Sequence, residues 1–178
     1  MLTAENRELI SQLINREISR LSPGHPSLTP TASLTLREAT HLAALAQKEA
    51  LAIGVPIVVS IADPLGQQIL FHRMENSLPA SSQLATDKAH TAATFRMTTE
   101  ELGRLAQPGE MLFGVQANNG GRVVIFGGGI PCRRDGAVIG AIGVSGGTAY
   151  QDVQIAERAL DLFSEKPEPV SEEGRNRE

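Results

Sequence analysis

Hydrophobic and polar positions divide the chain into a short helix, a linker and one compact domain. Within residues 1–21, apolar side chains recur every three or four positions, which predicts an amphipathic helix. Residues 22–33 contain three prolines and several hydroxyl side chains, a composition typical of an extended linker. Regular patterns return in residues 34–163, the predicted domain, and the charged residues 164–178 are expected to be a disordered tail. The apolar face of the first helix comprises Leu9, Ile10, Leu13, Ile14, Ile18 and Leu21.

Helix and strand periodicities alternate along the predicted domain. Thr35 and Glu38 have the spacing of a capping box, and an Ala-rich helix is expected to follow them. Apolar runs separated by turn residues predict antiparallel strands, and helices between them imply an α+β domain. The strands are expected on both sides of the Asp63–Gly66 turn, at 111–116, at 122–126 and at 138–144; further helices are expected at 80–95, after Thr98, and from Thr148 to Phe163.

Composition narrows the range of partners. The chain of 178 residues has a formal net charge of −4 and 3% aromatic residues, which disfavours nucleic acid as a partner. It has no apolar run near the length of a membrane span and no secretory signal pattern at its start. A single cysteine, Cys132, excludes an intramolecular disulfide. We therefore expect a cytoplasmic protein that binds neither nucleic acid nor a membrane.

Lys88 is a charged residue in an otherwise apolar helical stripe. It lies four residues after Leu84 and four before Ala92, so all three share one face of the predicted helix. Burying an ammonium is costly unless it is paired or lies at a pocket edge. One interpretation is a cation that faces an anionic ligand, or an amine of lowered pKa; the other is a side chain that extends to solvent.

Two glycine-rich stretches follow predicted strands and are candidates for binding an anion. Gly127, Gly128 and Gly129 form the first, and Ser145, Gly146 and Gly147 belong to the second, which leads directly into a capped helix. Exposed backbone N–H groups at such a place could hold a carboxylate or a haem propionate. Neither stretch has the spacing of a P-loop. The alternative is that the glycines allow tight turns and close helix–sheet contact.

No histidine or serine stands in a strong catalytic or metal-binding motif. The four histidines lack the paired spacings typical of zinc sites, although a haem site with a single histidine ligand remains open. Ser145 is not in a nucleophile elbow, and Asp63 has an ordinary turn position. If the protein is an enzyme, Lys88 with Asp63 or Ser145 could act on a small oxo- or hydroxy-acid anion.

Four ordered motifs resemble the GlcG/HbpS family, which includes the C-terminal domain of PduO. The resemblance covers residues 34–163 and implies a profilin-like three-layer α/β/α fold with a five-stranded antiparallel sheet. It also implies a homo-oligomer, often an octamer, that binds haem. In this chain Lys88 and the two glycine stretches would line the pocket; we select His41 as the iron ligand and His90 as a second candidate. The motifs are VVSIADPLGQQILFHRM, ASSQLATDKAHTAATF, LFGVQANNGGRVVIFGGGIP and GAVIGAIGVSGGTAYQDVQIAERAL.

The predicted first helix and its linker add a further expectation. An amphipathic helix on a Pro-rich tether resembles the encapsulation peptides of bacterial microcompartment cargo, which would bind a shell protein through the apolar face. The alternative is a helix that packs within an oligomer. Three hypotheses therefore stand: a haem- or tetrapyrrole-binding oligomer located in a microcompartment and linked to diol or related metabolism, the enzyme described above, and a structural assembly factor.

Overall fold

The computed structural model describes residues 33–165. Contacts divide the chain into Met1–Thr31 and Ala32–Glu178, and the described residues belong to the second unit. The predicted helix of residues 1–21, nearly all of the linker and the tail after residue 165 lie outside them. The elements are α1 (Leu36–Ala52), β1 (Val58–Ala62), β2 (Gln68–Arg73), α2 (Ser81–Phe95), α3 (Thr99–Leu105), the 3-10 turns Val115–Ala117 and Asn119–Gly121, β3 (Gly129–Arg134), β4 (Ala137–Ser145) and α4 (Ala149–Ser164).

The strands form one antiparallel sheet in the order β2-β1-β4-β3. Val59 of β1 lies opposite Val144 of β4, and its side chain packs with α1 and α4 in the main apolar core. Ser60 points to the other face, where α2 packs along β1, β3 and β4. The α+β class is confirmed, with helices on both faces of the sheet. The described residues contain four strands where five were expected.

The difference arises between α3 and β3, where two predicted strands do not form. The side chains of Met111 and Phe113 are 81% and 65% exposed, and this segment consists of turns and 3-10 helix. Gly114, with φ of 86°, lies in the left-handed region, which interrupts an extended strand. Val124 is buried, but its N–H donates to the Thr91 hydroxyl and not to a strand. The third strand instead begins at Gly129, inside the first glycine stretch.

The helix starts predicted at Thr35 and Thr148 are confirmed. Thr35 accepts a hydrogen bond from the Glu38 N–H, and the Glu38 carboxylate accepts one from the Thr35 N–H, which completes a capping box. Thr148 and Gln151 form the same arrangement at the start of α4. The inward face of α1 is made mostly of alanine, so the helix lies close to the sheet. Within residues 33–165, no helix is long and apolar enough to cross a membrane.

Candidate functional site

Lys88 is fully buried and forms an ion pair with Asp152. Its Nζ donates to Asp152 Oδ2 at 2.6 Å and to the Val144 carbonyl oxygen at 2.8 Å. The ring centroid of Phe126 lies 5.1 Å from the same nitrogen, within the range of a cation–π interaction. The ammonium thus has two hydrogen-bond acceptors and one aromatic face around it. Because α2 and α4 pack on opposite faces of the sheet, the pair joins the two helix layers.

Asp152 takes its position from the glycine stretch that precedes α4. Its Oδ1 accepts a hydrogen bond from the Gly147 N–H at 3.0 Å, while Oδ2 binds Lys88. The backbone of this stretch therefore does hold an anion, but the anion is a carboxylate of the same chain. Sequence reasoning missed this partner. Asp152 lies on the inward stripe of α4 with Ile155 and Ala159, a pattern that could have identified it.

Burial and pairing act in opposite directions on both members of the pair. Burial lowers the pKa of Lys88 below its ordinary value, and the neighbouring Asp152 carboxylate opposes that change. Burial likewise raises the pKa of Asp152, against the effects of Lys88 and of the Gly147 N–H. In the interior each charge compensates for the other, so removal of one would leave the other buried and unpaired.

The first glycine stretch passes directly over this ion pair. A Cβ at Gly128, where φ is 115°, would lie 2.7 Å from Lys88 Nζ and 2.9 Å from Asp152 Cβ. A Cβ at Gly129 would lie 2.6 Å from the Lys88 carbonyl oxygen, and one at Gly127 would collide with the Val153 side chain. Close backbone approach therefore requires all three glycines. The structure brings Lys88 into contact with the first glycine stretch and, through Asp152, with the second.

Gly143 and Ser145 lie at the same end of the sheet. Gly143 pairs with Gly129 across β4 and β3, and a side chain at Gly143 would collide with the backbone of α2 at Ala85. Ser145, the last residue of β4, is buried opposite Val58. These residues let α2 lie close enough to the sheet for Lys88 to reach Asp152.

Asp63 lies in the β1–β2 turn, and His90 of α2 contacts the same turn. His90 is buried; its Nδ1 is 3.0 Å from the Gly66 carbonyl oxygen and its Nε2 is 2.7 Å from Asn119 Nδ2. Since a carbonyl only accepts, Nδ1 carries the hydrogen and Nε2 accepts from the amide. Asp63 Oδ1 accepts from the N–H groups of Leu65 and Gln67, each at 2.8 Å, which is a turn-stabilising role.

His41 lies on the exposed side of α1. Its ring centroid is 6.0 Å from that of Phe163, near the end of α4, with the two rings inclined by 42°. Arg37 and Lys48 are also exposed, and helical spacing places both near His41 on α1. Toward the other end of this helix pair is a groove of about 230 Å³, lined by Glu49, Ile53, Gln154, Ile155 and Arg158.

Two further observations limit the chemistry of the described residues. Residues 33–165 contain no cluster of three histidine, cysteine or carboxylate side chains that could hold a metal ion. Cys132 is buried, and this burial raises the pKa of its thiol to about 12. A thiol of that pKa is a poor nucleophile near neutral pH.

Comparison with known proteins identifies the family. The model of the HbpS-like family, described as haem degrading protein HbpS-like, matches residues 34–161. A 15.0 kDa protein from the dhaT–dhaS intergenic region of Citrobacter freundii is 46% identical over 134 residues, which are 75% of this chain and 94% of that protein. The chain belongs to the HbpS-like family, and the resemblance predicted from its motifs is confirmed.

Two relatives connect the chain to PduO. The corrinoid adenosyltransferase PduO of Salmonella typhimurium is 37% identical over 157 residues, which are 88% of this chain and 47% of PduO. The chain therefore spans about half the length of that relative. The crystal structure of a PduOC–haem complex is similar with a TM-score of 0.70 and 40% identity, covering 72% of this chain and 94% of that one.

Proposed function

We propose that this chain is a homo-oligomeric haem-binding protein and that His41 ligates the iron. The observation that carries the proposal is the likeness to the PduOC–haem complex, which extends over 72% of this chain at 40% identity. Membership of the HbpS-like family supports the same cofactor. Bound haem supplies a redox-active iron, and the residues of this chain would bind and orient the group.

The surface around His41 offers a ring nitrogen for iron, cations for the propionates and apolar side chains for the porphyrin. Within residues 33–165, no hydrogen bond uses a ring nitrogen of His41, whereas His72 binds Gln47 and His90 binds Gly66 and Asn119. The exposed cations Arg37 and Lys48 can pair with propionate carboxylates. Leu45 and Phe163, both half-buried, supply apolar contact for the porphyrin ring.

His90 is the second candidate ligand, and it is less available. Its Nδ1–H donates to a backbone carbonyl, an arrangement that commonly orients a metal-binding imidazole. Its Nε2, however, already accepts a hydrogen bond from Asn119, which would have to leave before iron could bind. For Lys88, Gly127–Gly129 and Ser145–Gly147 we propose a supporting role, because their contacts are with one another, with α2 and with α4.

Haemin titration of the full chain tests the proposal. A shifted Soret band is expected, and His41→Ala should weaken binding at least about tenfold, or ~1.4 kcal/mol. His72→Ala is the matched control, since it also removes one imidazole but one that is bonded to Gln47. No Soret shift in the unmodified chain would refute haem binding, and a loss confined to His90→Ala would assign the ligand to His90.

Self-association is supported by an open edge of the sheet. The Met74 N–H donates to the Ile57 carbonyl oxygen, so the N–H and C=O groups of Phe71 and Arg73 point away from β1. Within the described residues, no strand pairs with these N–H and C=O groups of β2. The opposite edge strand, β3, carries Pro131 and exposed arginines, which disfavour pairing with another strand. We propose that β2 of a second copy pairs here.

The molar mass in solution tests this contact. Phe71→Glu should lower the mass of the oligomer, because it adds like charges on both sides of the proposed two-fold contact. Phe113→Glu is the control, since Phe113 is also exposed but lies in the α3–β3 connection. An unchanged mass for Phe71→Glu would exclude this edge as the interface.

We propose further that the protein is microcompartment cargo in the cytoplasm, with residues 1–21 as the part that binds a shell protein. The similarity to PduO supports a link to diol or related metabolism. Deleting residues 1–21 should abolish capture by purified shell protein while haemin binding persists. Capture that survives the deletion would contradict this assignment.

A further inference from the structure

The dipeptide Asn119–Gly120 lies in the exposed connection between α3 and β3. Both residues have left-handed backbone angles, with φ of 54° at Asn119 and 67° at Gly120. Both are exposed, and apart from the adjoining residues no atom lies within 4 Å of the place where a Cβ of Gly120 would be. Solvent therefore reaches this peptide bond freely.

The backbone nitrogen of Gly120 is free to react. Within residues 33–165 its N–H donates no hydrogen bond, whereas those of Gly121 and Arg122 donate to Asn118 and Asn119 carbonyl oxygens. Attack of this nitrogen on the side-chain carbonyl carbon of the preceding asparagine would close a five-membered ring, the ring size that forms readily. A glycine offers the least steric hindrance to that attack and the greatest backbone freedom to reach it.

We propose that Asn119 is a site of spontaneous deamidation, and that the modification replaces the hydrogen-bond donor opposite His90 with an acceptor. The bond from Gly120 N to Asn119 Cγ forms and the Cγ–Nδ2 bond breaks. Nδ2 leaves as ammonia and takes up the proton released by Gly120 N. Water then opens the succinimide at either carbonyl and leaves aspartate or isoaspartate; water is the only co-reactant.

The consequence for His90 follows from its two contacts. The Asn119 amide donates to Nε2 at 2.7 Å, and Nδ1–H donates to the Gly66 carbonyl oxygen at 3.0 Å. A carboxylate has no hydrogen to donate, so deamidation removes the hydrogen bond that Nε2 accepts from residue 119. Deamidation would thereby change the hydrogen-bonding state of a buried imidazole from a position on the surface.

Peptide mass analysis of the folded full chain, aged in mildly alkaline buffer, tests the site. We expect a mass gain of about 1 Da that grows with time in the peptide containing Asn119, part of it as isoaspartate. Asn118 and Asn76 serve as controls within the same sample, since each is followed by a residue with a side chain. Asn119→Gln keeps the amide, but attack by the next nitrogen would have to close a six-membered ring, which forms far more slowly, so it should show no gain.

Two outcomes would overturn the assignment. The first is no gain at Asn119 in the folded chain over a time in which the urea-unfolded chain acquires it. The second is an equal gain at Asn118. For the effect on His90, nitrogen NMR should show a shifted Nε2 resonance in aged and Asn119→Asp protein relative to fresh protein, because the amide donor is lost; an unchanged resonance would refute that part.

Discussion

Replacing Asp152 with asparagine would leave the Lys88 ammonium buried without its counter-charge. The substituted side chain would keep nearly the same shape and an oxygen that can accept the Gly147 N–H. The change therefore removes the negative charge and places an amide N–H group where Oδ2 accepted a hydrogen bond from Lys88. Lys88 is fully buried, so it cannot reach solvent without opening the packing between α2 and the sheet.

The expected loss can be estimated from the contact distance. At 2.6 Å and an effective dielectric constant near 20, the attraction is about 6 kcal/mol. Part of this is already offset by desolvation of the carboxylate, so breaking the pair should cost about 3–5 kcal/mol of unfolding free energy. A loss of this size is a large part of the total stability of a typical domain.

Urea unfolding of single and double variants measures this loss. Lys88→Met removes the charge at the other end, and the double variant Lys88→Met/Asp152→Asn should lose less than the sum of the two, by at least about 1 kcal/mol. Glu100→Gln, in the exposed Glu100–Arg104 pair at 3.5 Å, is the control and should change stability by less than about 0.5 kcal/mol. A loss below about 1 kcal/mol for Asp152→Asn, or strictly additive losses, would refute the reasoning.

The same variant should show a distinctive pH dependence. Without Asp152, burial lowers the pKa of Lys88 and no carboxylate opposes it. Between that lowered pKa and the ordinary value of 10.5, the unfolded chain binds more protons than the folded one, so stability rises with pH. The deficit of Asp152→Asn relative to the unmodified chain should therefore shrink in alkaline buffer.

Three smaller predictions follow from local geometry. Gly128→Ala should cost about 1–3 kcal/mol of unfolding free energy, and more than the control Gly136→Ala. Both glycines have positive φ, but only a Cβ at Gly128 would collide with Lys88 and Asp152. Equal losses would show that this collision is unimportant. Cys132 should resist alkylation in the folded protein near neutral pH and react after unfolding, as followed by mass, because its pKa is about 12. Thr148→Ala should cost about 1 kcal/mol in urea unfolding, because Thr148 caps α4.

Helix boundaries were predictable because their signals are local. The capping boxes at Thr35 and Thr148 are short local patterns, and the structure places a helix start at each. The strands predicted at 111–116 and 122–126 were wrong for two different reasons. The first segment has exposed apolar side chains and a left-handed residue, Gly114, in its middle. The second is buried without pairing to a strand. An apolar run such as Val123–Val124 shows that a segment is buried, but it does not show whether the burial is against a strand or against α2.

The candidate site was only partly predictable. Lys88 in an apolar stripe indicated a buried charge, and the glycines indicated close backbone approach; both were found at one place. Asp152 is 64 residues away along the chain, and a pair at that separation becomes visible only when the helices are placed on the sheet. The contact between His90 and Asn119 has the same origin.

By itself, the sequence determined the family, the helix starts, the α+β class and the presence of a charge that must be compensated. These depend on neighbouring residues and on composition, which act before any tertiary contact forms. Only the tertiary structure decided that the compensating anion is Asp152, that β3 begins within the glycines and that His41 is exposed while His90 is bonded at both nitrogens. Burial and pairing across the sheet are properties of residues that are distant in the chain, and these properties arise only when packing brings the residues together.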